Sequence, residues 1–350
     1  MSPDRGTLCL TPPQPARRRW IPPLRCLLQA VALALAGPAL AAQPAAPASA
    51  EDFADKFMQM GTGSAGGAFR PIGEALCDTV NKDRKDSLVR CVAVSTAGSS
   101  FNINAVANGA MQLGVSQEDL AAKLYGDARQ ARGSKLRVVS LLHASPIAVV
   151  VRKEAGIQTL DQIAGKVMNL GNRGSGQFSV TAAILRALAL RTEDLAAVRY
   201  LATSEFEQAF CAKQVDVVVE AVAHPSPLFE KLLACDGQFI DIPAPVVERM
   251  VAENPFLSAM QIPAQTYAAQ AKPVQTLGMR NLLVTSAGVS EEAVFRLTTS
   301  LLQRHAELVR AQPLLGSMPA QTLDMHRSLP VPLHPGAERA LLNTAVRAAP

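Results

Sequence analysis

The chain has 350 residues, of which 49% are hydrophobic and 18% are charged. That length and composition allow two domains with buried cores. Aromatic residues make up only 4%, while alanine, valine and leucine are abundant, which favours helices packed on a buried parallel sheet. The formal net charge of +5 falls to +1 without residues 1–41, which carry five arginines and one aspartate. The basic charge therefore gives no support to nucleic-acid binding.

The first 41 residues have the pattern of a secretory signal peptide. Arg17–Arg19 precede a short apolar run at Leu27–Leu35, and the small-residue sequence Ala39-Leu40-Ala41 follows. The run is shorter than the ~20 apolar residues of a membrane-spanning helix. We therefore predict cleavage near Ala41, a periplasmic location and a flexible linker over residues 42–52. The arginines leave both the Sec and the twin-arginine export routes open.

Predicted strands and helices alternate after the linker. Strand Phe53–Met60 runs into the glycine-rich segment Gly61–Gly67, and a helix with Pro71 in its first turn follows. The next predicted elements, in chain order, are strand Leu88–Val94, the polar loop Ser95–Ser100, helix Asn102–Asn108, strand Met111–Val115, the polar segment Ser116–Asp119, and strands Val138–Leu142 and Ile147–Val151.

The same order of strand, glycine-rich loop and helix then recurs. Strand Val167–Leu170 runs into Gly171–Gly176, and helix Gln177–Ala189 follows. The remaining predicted elements are helix Ser204–Ala212, strand Val215–Val219, a helix that ends near Cys235, strand Leu282–Val284 and the long helix Glu291–Arg310.

The two glycine-rich loops indicate where a ligand binds. In parallel α/β folds, ligands lie beyond the carboxyl ends of the strands. Free N–H groups at helix starts attract anionic groups, and glycines allow a ligand to approach the backbone closely. Gly61–Gly67 and Gly171–Gly176 would face each other across a cleft and hold the two ends of a small acid. Ser95–Ser100 and Ser116–Asp119 would add hydroxyl and amide groups.

Motifs of other protein classes are weak or missing. Gly61-Thr62-Gly63-Ser64-Ala65-Gly66 satisfies the dinucleotide pattern G-x-G-x-x-G, but the next strand ends at Val94-Ser95 without the acidic residue that holds the ribose. No lysine follows to make a phosphate-binding P-loop, and neither G-x-S-x-G nor HExxH occurs. We predict no enzyme activity, no cofactor and no metal site.

Four cysteines follow the predicted cleavage site: Cys77, Cys91, Cys211 and Cys235. An even number in an oxidising compartment indicates two disulfides. Three pairings are possible, of which Cys77–Cys91 with Cys211–Cys235 closes the shortest loops. The alternative is four buried free thiols.

Several segments in order resemble one family. They are Met60–Gly67, Pro71–Gly73, Ser95–Ser99, Leu113–Gln117, Leu160–Lys166, Gly174–Gly176, His224-Pro225 and Pro330–Arg339. In order and spacing they resemble the TAXI-type solute receptors of tripartite ATP-independent periplasmic (TRAP) transporters. The resemblance covers about Met60 to Arg339.

The resemblance implies a fold and a function. The expected fold is the α/β, two-lobed type II periplasmic-binding-protein fold with a ligand cleft between the lobes. Lobe 1 would comprise residues 53–145 and 276–350, and lobe 2 residues 146–275. The chain would capture a small, anionic carboxylate or amino-acid-like ligand and deliver it to TRAP membrane subunits. Alternatives are a ligand-sensing periplasmic subunit of a membrane signalling protein, an exported enzyme and a structural or adhesive protein.

The predicted ligand-binding residues come from the polar loops and strand ends. They are Thr62, Gly63, Ser64, Arg70, Ser95, Thr96, Ser99, Gln117, Ser175, Gly176, Gln177, Glu220 and His224.

Two of these residues have more than one interpretation. The family usually has tyrosine where Phe69-Arg70 stands, so Arg70 is either a bidentate partner of a ligand carboxylate or a solvated arginine at a helix start. Glu220 would either favour a ligand amine or lie at the rim of the cleft. The loop after His224-Pro225 also departs from the family at Ser226, so we expect the contacts of that loop to differ from those of the family.

Overall fold

The structure is a computed structural model that describes residues 57–130, 134–316 and 326–348. The predicted signal peptide, the linker and residues 53–56 of the predicted first strand lie outside these ranges. Within them, no helix has the length and hydropathy needed to cross a lipid bilayer.

Ten strands and eleven α-helices are described here in chain order. The elements up to the first long strand are β1 Phe57–Gly61, α1 Phe69–Lys82, α2 Arg84–Ser87, β2 Arg90–Val94, α3 Ser99–Ala107, β3 Leu113–Gln117, α4 Glu118–Gln130 and β4 Leu136–Arg152. The elements up to the second long strand are β5 Val167–Asn169, α5 Gly176–Ala187, β6 Ala197–Arg199, α6 Thr203–Cys211, β7 Val217–Ala221, α7 Pro227–Ala234, β8 Gly237–Ile240, α8 Ala244–Glu253, β9 Ser258–Ile262 and β10 Val274–Ser286. The last are α9 Glu291–Gln303, α10 His305–Ala311 and α11 Pro335–Ala348.

The strands form one continuous sheet in the order β2-β1-β3-β10-β4-β7-β5-β6, with β8 on β4 and β9 on β10. In the first half β1 is parallel to β2 and β3, and in the second half β5 is parallel to β6 and β7. The long strands β4 and β10 run antiparallel to each other in the middle and join the halves. Each half therefore has parallel strands whose carboxyl ends lead into loops and helix starts.

Alternation along β4 builds the core of the second half. Ile147, Val149 and Val151 pack into one apolar cluster, while Ala148 and Val150 pack into another. Because successive side chains of a strand point to opposite faces, a run of buried apolar residues covers both faces of the sheet. The predicted α/β fold is confirmed by this architecture.

Helix α1 shows how the pattern of apolar residues positions the first glycine-rich loop. Ile72, Leu76, Thr79 and Val80 are buried on one face, at the spacing of an amphipathic helix. This face anchors α1 on the sheet, so the start of the helix is held at the carboxyl end of β1.

Several predicted elements differ from the structure, and the strand predicted at Leu282–Val284 is only part of the longer strand β10. The two strands predicted at 138–142 and 147–151 are the single strand β4, because the backbone stays paired with β10 and β7 throughout. The predicted helix Glu291–Arg310 is two helices that are separated at Arg304, which forms ion pairs with Asp83 and Glu307. The polar segment Ser116–Asp119 ends strand β3 and opens helix α4. The predicted lobe boundaries stay a prediction.

Candidate ligand-binding site

A cavity of about 60 Å³ lies where the two halves of the sheet meet. The starts of α1, α3, α5 and α6 contribute Phe69, Ser99, Gly176 and Thr203 to its wall. The first N–H groups of a helix have no partner within the helix, and the helix dipole is positive there. Four helix starts around one small cavity give it an electrostatic environment that favours a negatively charged or polar group.

Eight of the thirteen predicted ligand-binding residues line this cavity: Gly63, Ser64, Ser99, Gln117, Ser175, Gly176, Gln177 and Glu220. The other wall residues were not among the thirteen, although four of them lie in the loops predicted to bind the ligand: Gly67, Ala97, Gly98 and Asn172. The remaining four are Ala68, Phe69, Thr203 and Ala221. Among these eight residues, Asn172 and Thr203 bring polar side chains. Asn172 lies in the predicted loop Gly171–Gly176, and Thr203 directly precedes the predicted helix Ser204–Ala212. These positions were the signal in the sequence that could have identified both residues.

Gln117 ends β3 and is 3% exposed. Its Oε1 is enclosed and has no hydrogen-bond partner among the described residues. Its amide lies directly against Gly176, where a Cβ atom would collide with it. A Cβ on residue 176 would therefore displace the Gln117 amide from its present position, and this amide oxygen is available to whatever occupies the cavity.

Glu220 lies on β7 opposite Ala148 of β4. Its Oε2 is enclosed and unpartnered. Burial raises the pKa of this carboxyl to about 8, since desolvation disfavours the charged form. A carboxyl that is enclosed without an ion-pair partner is costly unless a bound group compensates it, so Glu220 is a candidate ligand contact.

Direct contacts join the loops of the two halves across the cavity. The Asn172 side chain donates a hydrogen bond from Nδ2 to the carbonyl oxygen of Ala97 at 3.2 Å. Gly98 has a φ of +105°, which favours glycine. It lies close to Ser175, since a Cβ on residue 98 would be 3.5 Å from the Ser175 Cα. The loops after β2 and β5 are therefore in contact.

Two of the remaining predicted residues hold together the loops that follow β1 and β2, on the side away from the cavity. Thr62 Oγ1 donates to the carbonyl oxygen of Val94 at 2.8 Å. Thr96 Oγ1 donates to Asn102 Oδ1 at 2.7 Å, and the buried Asn102 donates to the carbonyl oxygens of Thr62 and Val115 at 2.6 and 2.8 Å. Thr62 and Thr96 do not line the cavity but tie its loops together.

Arg70 and Ser95 are paired with each other. Arg70 donates from Nε to Glu74 Oε1 at 2.6 Å and from Nη1 to Ser95 Oγ. Neither residue lines the cavity, and the Arg70–Glu74 pair is half-exposed. Of the two interpretations of Arg70, this placement agrees with the partly solvated arginine at a helix start.

His224 also lies outside the wall of the cavity. Its Nδ1 is 2.7 Å from the hydroxyl oxygen of Tyr267, which accepts a hydrogen bond from the N–H of Ser226 at 2.8 Å. The His224 ring stacks on Phe229 with centroids 5.0 Å apart. Burial lowers the pKa of His224 to about 4, so the imidazole is neutral and acts as a packed core residue.

The cysteines are joined in the pairing that closes the shortest loops. Cys77 of α1 is linked to Cys91 of β2, with Cα atoms 4.8 Å apart. Cys211 at the end of α6 is linked to Cys235 after α7, with Cα atoms 5.2 Å apart. Each disulfide ties neighbouring elements within one half of the sheet. Among the described residues, no three histidine, cysteine or acidic side chains are grouped to hold a metal ion.

A family model matches most of the chain. The model of the NMT1-like family matches residues 60–342. The chain belongs to the NMT1-like family. The matched range of this NMT1-like protein contains both glycine-rich loops and the whole wall of the cavity.

Solved structures are similar to this NMT1-like protein in fold. The periplasmic binding protein BugD is 11% identical, with 83% of this chain and 94% of BugD covered at a TM-score of 0.50. A protein from Bordetella bronchiseptica RB50 is 15% identical, with 83% and 82% covered at a TM-score of 0.50. The alkanesulfonate-binding protein SsuA from Xanthomonas axonopodis pv. citri is 15% identical, with 82% and 83% covered at a TM-score of 0.42. This NMT1-like protein has the two-lobed α/β fold of periplasmic solute-binding proteins.

Proposed function

We propose that this chain is an extracytoplasmic solute receptor that captures a small carboxylate or amino-acid-like ligand without transforming it. The observation that carries the proposal is the unpartnered, buried Gln117 Oε1 in a cavity walled by four helix starts. A buried polar atom without a partner costs about 1–3 kcal/mol. A ligand that donates a hydrogen bond to Gln117 Oε1 removes that cost, while its carboxylate accepts from N–H groups at the helix starts.

Binding would stabilise a closed arrangement of two lobes. Lobe 1 comprises residues 53–145 and 276–350, and lobe 2 comprises residues 146–275. The wall of the cavity includes Ser99 and Gln117 from the first and Ser175 and Gly176 from the second. Because a ligand makes both sets of contacts only when the lobes are together, binding shifts the balance of open and closed forms toward the closed one.

We further propose that the receptor is of the TAXI type and delivers its ligand to TRAP membrane subunits after export and cleavage near Ala41. The resemblance of Met60–Gly67, Ser95–Ser99 and Pro330–Arg339 to that family supports this step. The lobes that close around the ligand would present the docking surface to the membrane partner.

A thermal-shift panel of carboxylates and amino acids on the mature protein tests binding. We expect one chemical class to raise the unfolding temperature in a saturable way, since a ligand that binds only the folded state stabilises it. Uptake into vesicles that contain the TRAP membrane subunits then tests delivery. Saturable binding without uptake would favour the sensing subunit over the transport receptor. No saturable binding to any member of the panel would contradict the receptor itself.

A further inference from the structure

A second, larger cavity adjoins the first. It measures about 440 Å³ against about 60 Å³, and we call it the side chamber. The two cavities share Gly67, Ala68, Thr203 and Glu220 as wall residues. Pockets for small ligands usually measure about 300–1,000 Å³. The first cavity alone is therefore too small for a typical ligand, and the side chamber provides the remaining room.

The wall of the side chamber has a clear chemical character. Most of it is apolar, with Pro71, Val222, Leu228 and Leu314 among its residues. Its charged side chains are Glu220 and Glu230, and no lysine or arginine lines it. The side chamber is therefore suited to an apolar group that lies next to a positively charged group of the same ligand. It disfavours a second carboxylate.

Glu220 stands at the junction of the two cavities, with its enclosed Oε2 free of hydrogen bonds. The other charged or titratable groups on the surrounding elements are engaged elsewhere or point to the side chamber. Arg70 pairs with Glu74, Arg173 lies over the ring of Tyr200, His224 contacts Tyr267, and Glu230 lines the side chamber. No cation of the described residues forms an ion pair with Glu220.

We propose that Glu220 accepts the ammonium group of a zwitterionic ligand whose carboxylate lies at the helix starts and whose apolar substituent fills the side chamber. The ligand is then a neutral amino acid with an apolar side chain. This inference rests on the proposed receptor function, and it restricts the ligand to one class. A dicarboxylate would place a second negative charge beside Glu220 and Glu230.

The pH dependence distinguishes an ammonium partner from a carboxylate partner. Because burial raises the pKa of Glu220 to about 8, the carboxyl is largely protonated at neutral pH when no ligand is bound. An ammonium group favours the ionised form, so binding releases a proton and tightens as the pH rises toward about 8. A ligand carboxylate needs the protonated form as a hydrogen-bond donor, so its binding would weaken over the same interval.

Calorimetric titration of the mature protein tests the proposal with matched probes. L-leucine and L-phenylalanine are compared with isocaproate and hydrocinnamate, which lack only the amine, and with succinate and L-glutamate. We expect each amino acid to bind at least about tenfold more tightly than its deaminated analogue, equivalent to about 1.4 kcal/mol. Affinity for the amino acids should rise between about pH 6 and about pH 8.

Two variants assign the effect to residues. In Glu220→Gln the amide imitates the protonated carboxyl, so affinity for the amino acids should fall about tenfold or more while isocaproate binding stays unchanged. In Leu314→Trp the larger side chain should reduce binding of L-leucine and L-phenylalanine but not of L-alanine. Unfolding curves of both variants verify that they are folded.

The outcomes separate this inference from the receptor function. Tighter binding of succinate or L-glutamate, with affinity that Glu220→Gln leaves unchanged or increases, would overturn the role of Glu220 while the receptor stands. Amino-acid binding that Leu314→Trp leaves unchanged for every side chain would overturn the role of the side chamber. If none of the probes binds, the result would contradict both this inference and the receptor function.

Discussion

Asn172 donates a hydrogen bond to the carbonyl oxygen of Ala97 and thereby joins the loop after β5 to the loop after β2. Both residues line the candidate site. Under the proposed closure of two lobes such a bond forms only when the lobes are together, so we expect it to contribute to the closed state and not to the folding of either lobe alone.

Asn172→Ala should therefore weaken ligand binding more than it lowers stability. A neutral hydrogen bond contributes about 0.5–1.5 kcal/mol, so we expect a fall in affinity of about two- to tenfold. Calorimetric titration with the solute found in the panel measures it. Asn104→Ala removes a similar side chain that is exposed and bonds only to Ser100 of its own helix, so it should leave affinity unchanged. Equal effects of the two variants would contradict the closure role.

Gly176→Ala tests the close approach of the two halves at Gln117. The added Cβ collides with the Gln117 amide, so we expect ligand affinity to fall about tenfold or more. Gly126→Ala is the control, because a Cβ there meets nothing within 4 Å and the residue lies in helix α4. It should leave binding intact and raise the free energy of unfolding by up to about 1 kcal/mol. Unchanged binding in Gly176→Ala would show that this contact is dispensable.

Tyr267→Phe removes the hydroxyl that accepts from the Ser226 N–H and contacts His224. Because Ser226 is buried, we expect the free energy of unfolding to fall by about 1–3 kcal/mol. Urea unfolding followed by circular dichroism measures it. Tyr125→Phe, whose hydroxyl has no hydrogen bond to the described residues, should change stability by less than about 0.5 kcal/mol. An unchanged free energy of unfolding in Tyr267→Phe would mean that water replaces the Tyr267 hydroxyl as the acceptor for the Ser226 N–H.

The double variant Cys211→Ala with Cys235→Ala opens one disulfide and leaves Cys77–Cys91 closed. Constraint of the unfolded chain by such a bond stabilises a protein by about 2–4 kcal/mol, so we expect a loss of that size in unfolding experiments. Reduction of the wild-type protein opens both bonds and should cost more. If reduction and the double variant cost the same, the Cys77–Cys91 bond would contribute nothing to stability.

Asp119 makes stability depend on pH. Its carboxyl accepts a hydrogen bond from Asn254 Nδ2 at 3.2 Å, and burial raises its pKa above the ordinary 3.8. The folded state therefore holds the proton more strongly than the unfolded state, and stability is lost as the pH rises from 3.8 through the raised pKa.

Asp119→Asn should remove this loss. The free energy of unfolding of the variant should match the wild type at acid pH and exceed it increasingly as the pH rises. Unfolding in urea across the pH range measures the difference. A variant that is less stable than the wild type at neutral pH would mean that the ionised carboxylate stabilises the fold.

The alternation of strands and helices and half of the wall residues of the cavity were predictable from local patterns. Glycine-rich loops after apolar strands predicted Gly63, Ser64, Ser175 and Gly176, because helix starts follow from local sequence. The sequence left two interpretations of Arg70 open, and its ion pair with Glu74, four residues later on the same helix face, became evident only in the structure.

Other features depend on contacts between distant residues. The strand β4 continues past its polar middle because Asn281 of β10 donates to the carbonyl oxygen of His143 and to Ser145 Oγ, at 3.3 and 2.7 Å. The junction of Glu220 with the side chamber depends on α1, α7 and Leu314 meeting in three dimensions. Contacts of both kinds join residues that are far apart in the sequence, so no periodic pattern of residues predicts them.

Native mass spectrometry of the mature protein, purified without added ligand beside Gly176→Ala, tests the central claim most directly. We predict a discrete mass increment on the wild-type protein that disappears on denaturation and is absent from the variant. An increment of equal occupancy on both proteins would place the solute outside the cavity between Gln117 and Gly176, and would contradict the account.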